Sequence, residues 1–83
     1  IRIENLIVVQ TAAKIPGGDA HRKMLDWRTL TFAPIDRRLI MRKLLSADER
    51  NWINTYHADV MTKIGPRVSP AAKAWLAAAT QPL

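Results

Sequence analysis

Arg2 and Glu4 stand two residues apart in the opening run IRIENLIVVQ. On an extended strand that spacing puts both side chains on one side, roughly 7 Å apart along the backbone. A carboxylate there is a hard oxygen donor. It can close an ordinary ion pair with Arg2, or ligate a metal while Arg2 orients a neighbouring ligand. Spacing alone favours the ion pair, because charged pairs more often serve structure than chemistry. A charge on a buried strand is costly unless it is paired, hydrogen-bonded or metal-bound. Glu4 therefore calls for a specific partner.

The other reactive residue types are few. His21 lies beside Gly17-Gly18, and His57 lies in a helical pattern next to Tyr56. Neither has a second histidine four residues on, nor an acidic partner at metal-ligand spacing, so no zincin-like motif exists. His57 fits a polar group finishing a helix interface better than a catalytic base. Ser46 and Ser69 both have capping roles, and no base or oxyanion hole accompanies either of them. Gly17-Gly18 lacks the lysine-serine and following helix of a phosphate loop.

The elements that must position these residues follow from periodicity. Residues 1–10 alternate, with Ile1, Ile3, Ile7 and Val9 on one face and Arg2, Glu4, Leu6 and Val8 on the other. Two largely apolar faces predict a strand covered on both sides. Residues 11–24, with Pro16, Gly17 and Gly18, read as an exposed loop. A second strand over 27–34 carries Trp27, Thr29 and Thr31 on one face and Leu30 and Phe32 on the other, and should stop near Pro34. The run IDRRLIMRKLL is expected to be extended and irregular.

Ser46 and Glu49 form a capping-box pattern, which starts a helix over 47–64. Trp52, Ile53, Tyr56, Val60 and Ile64 recur on its apolar face, with His57 and Met61 at the edge. Gly65 is expected to supply a left-handed stop, followed by Pro66. Ser69 and Pro70 start a second helix over 70–79, whose face would be Ala71, Ala72, Trp75, Leu76 and Ala79. Thr80 to Leu83 would fray or dock. Strands precede helices, so the fold class is α+β.

Length and charge bound the function. A chain of 83 residues makes one small domain at most. It has no cysteine, which removes disulfides and thiolate metal sites. No apolar run approaches the ~18 residues of a membrane span, so a soluble protein with no membrane partner is expected. The net charge of +6 suits nucleic acid in principle. The basic residues are scattered, however, and no RNP, KH or zinc-finger spacing accompanies them, so no specific nucleic-acid partner is expected. The chain opens at Ile1, in the middle of a strand-like run, which suggests a piece of a longer polypeptide.

Four stretches carry a family resemblance: IRIENLIVV, WRTLTFAPIDRRLI, LLSADERNWINTYHADV and WLAAATQPL. In this order and at these separations, the chain resembles the C-terminal end of the Xaa-Pro aminopeptidases, or aminopeptidase P. The arginine-isoleucine-glutamate motif at Arg2, Ile3 and Glu4 is shared with related pita-bread metallopeptidases and creatinases. The TLTFAPIDRRLI and WINTYH segments point to aminopeptidase P itself. The resemblance fades over 11–24, and Asp26-Trp27 stands where the family usually has phenylalanine.

The resemblance implies the last strands of a pita-bread catalytic domain over 1–34 and a C-terminal helical extension over 35–83. It implies a cytoplasmic enzyme that removes an N-terminal residue preceding proline from peptide substrates. Two metal ions, expected to be manganese, would activate a bridging water. The family's ligands are two aspartates, one histidine and two glutamates. Only the last glutamate falls here, as Glu4, and Arg2 matches the arginine expected to pair with ligand carboxylates. No catalytic residue falls inside the chain, which alone is expected to be inactive. The parent would be a homo-oligomer. The rival reading, from a different class, is a non-catalytic structural or oligomerisation module.

Overall fold

The computed structural model describes residues 2–83. The α+β order is as expected: two strands, then two helices. The residues up to Thr31 form one compact unit, and Phe32–Leu83 form another.

In the first unit, β1 (Ile7–Thr11) pairs antiparallel with β2 (Leu25–Thr29), in a register running from Ile7 opposite Thr29 to Thr11 opposite Leu25. Valine, isoleucine, threonine and tryptophan suit these strands because branched and aromatic side chains pack on a pleated surface. The connecting loop turns at Ile15-Pro16-Gly17-Gly18. There the Gly18 N–H donates to the Ile15 carbonyl at 3.0 Å and Gly17 has φ +74°. Proline followed by a positive-φ glycine is the signature of a type II turn.

Both strands differ in extent from the sequence reading. Residues 2–6 precede β1, and β2 begins two residues early and stops at Thr29, five before Pro34. The early stop has a local cause. The Leu30 N–H still donates to the Leu6 carbonyl at 2.8 Å, but the Leu6 N–H donates to the Thr31 side-chain oxygen at 2.9 Å. A side chain thus takes the place of the next ladder acceptor. Nor are both faces of the ribbon covered. Cross-strand neighbours share a face, and Ile7, Val9, Leu25 and Trp27 are all exposed.

In the second unit, α1 (Ala47–Ile64) and α2 (Pro70–Ala79) have the expected bounds. The capping box before α1 is closed from both sides. The Glu49 N–H donates to the Ser46 hydroxyl at 3.2 Å, and the Ser46 N–H donates to the Glu49 carboxylate at 2.8 Å. These bonds hold the Glu49 carboxyl below its ordinary range, the Ser46 backbone contributing most. Ser69 caps α2 by accepting from the Ala72 N–H at 3.3 Å.

The buried residues are Ile53, Tyr56, His57, Val60 and Leu76, with Phe32, Ile35, Met61 and Ile64 packed around them. At ~100° per residue, Tyr56 and His57 straddle the centre of the α1 face, and Trp52 lies about a quarter-turn off it. Trp52 is accordingly 57% exposed and stacks on Tyr56, with ring centroids 5.6 Å apart. His57, expected at the edge, is fully buried. On α2, Leu76 carries the contact and Trp75 is 63% exposed. The buried face is thus rotated away from the one that Ala71, Ala72 and Trp75 had suggested.

Gly65 also departs from expectation. Its φ and ψ are −50° and −40°, right-handed, and α1 runs straight into a tight turn over Gly65–Arg67. The position is close to Met61 instead. A Cβ would sit 3.2 Å from Met61 Cε and 3.4 Å from its sulfur. The IDRRLIMRKLL run holds two short 3₁₀ turns, Arg37–Leu39 and Arg42–Leu44, with Ile40 and Leu45 extended. The C-terminal tail is docked, the Leu83 N–H donating to the Asn54 side-chain oxygen at 2.9 Å.

Candidate functional site

Glu4 lies three residues before β1, and its partner is Arg2, with Arg2 Nε 3.2 Å from Glu4 Oε1. Both side chains are well exposed, at 82% for Arg2 and 64% for Glu4. The carboxylate is therefore not a buried charge, and the desolvation cost inferred from a covered strand is not incurred here. A single exposed pair of this kind contributes little to stability.

The residues after Glu4 are held by side chains. The Thr31 hydroxyl accepts from the Leu6 N–H and donates to the Asn5 side-chain oxygen at 3.0 Å. Sequence reasoning placed Thr31 on a strand face and gave Asn5 no role. The only available signal was a threonine just beyond a strand and an amide just after a carboxylate.

The two histidines lie in different settings. His21 is in the exposed loop, where its N–H donates to Asp19 at 2.7 Å. That bond, aided by Arg22, holds the Asp19 carboxyl below its ordinary range. His57 is a structural acceptor, as the sequence reading held. Its Nε2 accepts from the Ile35 N–H at 3.0 Å, and burial, with the Arg37 guanidinium adding to it, pushes its pKa down. Beside it, the Tyr56 hydroxyl accepts from the Ala33 N–H at 3.2 Å and donates to the Ala33 carbonyl at 2.9 Å. Together, these two side chains pin the Ala33–Ile35 backbone to α1.

Arg37 reaches the other end of this unit, donating to the Pro82 carbonyl at 3.2 Å and, at 3.5 Å, to that of Ala78. A cation beside the last carbonyls of α2 complements the helix dipole. Asp36 caps the 3₁₀ turn through the Arg38 N–H and also pairs with the Arg38 guanidinium at 2.7 Å. The Arg38 side-chain bonds, chiefly, hold the Asp36 carboxyl at about 2. A groove of about 410 Å³ is lined by Pro34, Ile35, Arg37, Arg38 and Trp75, among others. Its one carboxylate, Asp36, is engaged by Arg38, and its lining holds no histidine or serine.

The donor set decides how far a metal fits. Among the described residues no group of three or more histidine, cysteine, aspartate or glutamate side chains comes together. One exposed carboxylate oxygen suits a hard divalent ion as a single ligand and leaves the remaining positions to other donors. Glu4 thus fits a shared metal centre and does not build one. Among the described residues no helix is long and apolar enough to cross a membrane.

Comparison with known proteins gives this geometry its setting. Residues 23–83 match the family described as the C-terminal region of peptidase_M24. A Coprinopsis cinerea protein named "Probable Xaa-Pro aminopeptidase P" is 34% identical over 85 residues, covering 100% of this chain and 14% of its own length. Aminopeptidase P1 of Lotus japonicus is 36% identical over 85 residues, with coverage of 100% and 13%. A solved structure of X-prolyl aminopeptidase from Caenorhabditis elegans, described as a cytosolic enzyme with a di-nuclear active site, superposes with a TM-score of 0.79 at 32% identity. That match covers 100% of this chain and 14% of the solved one. The chain spans about one-seventh of the length of these relatives. It belongs to the family of M24 peptidase C-terminal regions, and within that family it resembles the C-terminal region of aminopeptidase P.

Proposed function

We propose that the chain is the C-terminal part of a metal-dependent aminopeptidase that removes an N-terminal residue preceding proline. The observation that carries this reading is the match of the entire chain, at 32–36% identity, to proteins named for that activity. Glu4 supplies one oxygen ligand to a dinuclear manganese centre, and Arg2 holds that carboxylate by its 3.2 Å contact. Two divalent ions, held in part by Glu4, would supply activation of a water and electrostatic stabilisation of developing negative charge. Residues 1–34 end the catalytic domain, and 35–83 are a helical extension; the compact unit Phe32–Leu83 supports a boundary near that point. The 83-residue chain alone does not hydrolyse peptides, because one carboxylate cannot hold the metal pair. The parent enzyme is cytoplasmic and a homo-oligomer.

The test is made on the full-length polypeptide. With Mn²⁺ it should release N-terminal residues only ahead of proline, and Glu4→Gln should lower bound manganese and abolish that release. Undiminished metal content in Glu4→Gln would overturn the ligand assignment. Proline-specific release by the purified 83-residue chain would overturn its inactivity.

One observation favours a second reading, a non-catalytic association module: the exposed ribbon face of Ile7, Val9, Leu25 and Trp27. Contiguous apolar surface of this kind marks an interaction site. A monomeric mass for the isolated chain in solution would rule out self-association through that face.

A further inference from the structure

The geometry points to Thr31 as a positioning residue for Glu4, acting through Asn5 and Leu6; this rests on the proposed role of Glu4 as a metal ligand. In an antiparallel ladder, hydrogen-bonded pairs exchange two backbone bonds. At the Leu6–Leu30 pair only one is backbone, from the Leu30 N–H to the Leu6 carbonyl at 2.8 Å. The Leu6 N–H instead donates to the Thr31 hydroxyl at 2.9 Å. That hydroxyl then donates to the Asn5 side chain at 3.0 Å, across a contact that is part-buried.

One oxygen therefore fixes both sides of the peptide that joins Asn5 to Leu6. Glu4 is the next residue upstream, and it makes the exposed ion pair with Arg2. An exposed pair holds a direction weakly, whereas a β-branched threonine has few χ1 states and holds its hydroxyl in place. Thr31, two residues beyond β2, anchors the chain next to the carboxylate. Removing the hydroxyl lets the chain fray from Leu6 toward Arg2, and a metal ligand that must stay within a few tenths of an ångström loses its position. Partners that orient metal ligands in this way typically change metal affinity by about 10- to 100-fold.

The experiment uses the full-length enzyme carrying this chain, titrated with Mn²⁺, in three variants. Thr31→Val keeps the shape and removes the hydroxyl. Thr31→Ser keeps the hydroxyl, and Glu4→Gln is the reference. The expected result for Thr31→Val is an affinity for Mn²⁺ about tenfold or more weaker, faster hydrogen exchange at the Leu6 amide, and a lower kcat at unchanged KM. Thr31→Ser should restore all three. If Thr31→Val does not fold, Asn5→Ala carries the same test, since it removes the acceptor of the hydroxyl proton and leaves Thr31 in place. Faster exchange at Leu6 with unaltered Mn²⁺ affinity would overturn the inference while leaving Glu4 a ligand. Unaltered affinity in Glu4→Gln would instead overturn the reading on which it rests.

Discussion

His57→Leu tests how the second unit is held together. The imidazole is fully buried, and its Nε2 accepts from the Ile35 N–H at 3.0 Å. The ring must then be neutral, because a proton on Nε2 would point at that N–H. Leucine fills nearly the same volume but offers no acceptor. An orphaned buried donor costs about 1–3 kcal/mol. Part of that is offset, because Nδ1 is itself buried without a hydrogen-bond partner, and leucine removes it. A net loss of about 1–2 kcal/mol should lower protection of the Ile35 amide against hydrogen exchange by about 5- to 30-fold. The pH dependence sharpens the test. The folded pKa of His57 lies below the ordinary 6.5, so the unfolded chain binds the proton first and stability rises with pH. The contribution is complete above the unfolded value and is lost as pH falls toward the folded one. Wild-type protection at Ile35, corrected for intrinsic exchange, should drop by up to about tenfold per pH unit below 6.5. That of His57→Leu should stay flat. A wild-type profile that is level down to about pH 5, or a variant with the same slope, would refute the assignment of this bond to a neutral His57.

Two other perturbations follow from contacts in the same unit. Ser46→Ala removes half of the capping box and should destabilise the first turn of α1 by about 1 kcal/mol, measured as faster exchange at the Glu49 amide. The Glu49 carboxyl should rise only in part, because the Ser46 backbone N–H, the larger cause of its lowering, is kept and only the hydroxyl is lost. Arg37→Gln removes the guanidinium from the Ala78 and Pro82 carbonyls, and the Leu83 amide should exchange faster as the tail loosens. It also removes one of the two causes that depress His57, so the ring should titrate at higher pH by NMR. An unmoved His57 titration would show that burial alone sets it.

What was legible in the sequence follows from how local its cause is. The bounds of α1 and α2 were readable because Ser46, Glu49, Ser69 and Pro70 act on their own next turn. The type II turn at Pro16-Gly17 was implicit in the same way. The strand limits were not readable, because one hydroxyl, 25 residues from its partner, ends the ladder. The orientation of the helix faces was also misjudged. Trp52 and Trp75 look like core residues by composition, yet the core gathers around Tyr56, His57, Val60 and Leu76. Gly65 was expected to be left-handed, yet its backbone is right-handed and it sits close against Met61. For the candidate site, the Arg2–Glu4 pair was visible in spacing, but its exposure was not. Two apolar strand faces imply cover, and the ribbon itself has none.

The two segments that point most specifically to aminopeptidase P prove to be one physical feature. Tyr56 and His57, from WINTYH, hold Ala33 and Ile35, from TLTFAPIDRRLI. Neighbouring helix residues diverge by ~100°, while alternate residues of an extended chain present backbone groups to the same side roughly 7 Å apart. A tyrosine and a histidine side by side on α1 therefore straddle its buried face and meet those groups at both positions. Pro34 between them has no N–H to satisfy, so the backbone donors to be met are those of Ala33 and Ile35. The chemistry of both positions is constrained. Position 56 must both accept and donate, which phenylalanine cannot do, and position 57 must accept while buried, which lysine or arginine cannot do. In this half of the chain the two segments therefore meet through hydrogen bonds that hold the backbone of Ala33 and Ile35 on α1.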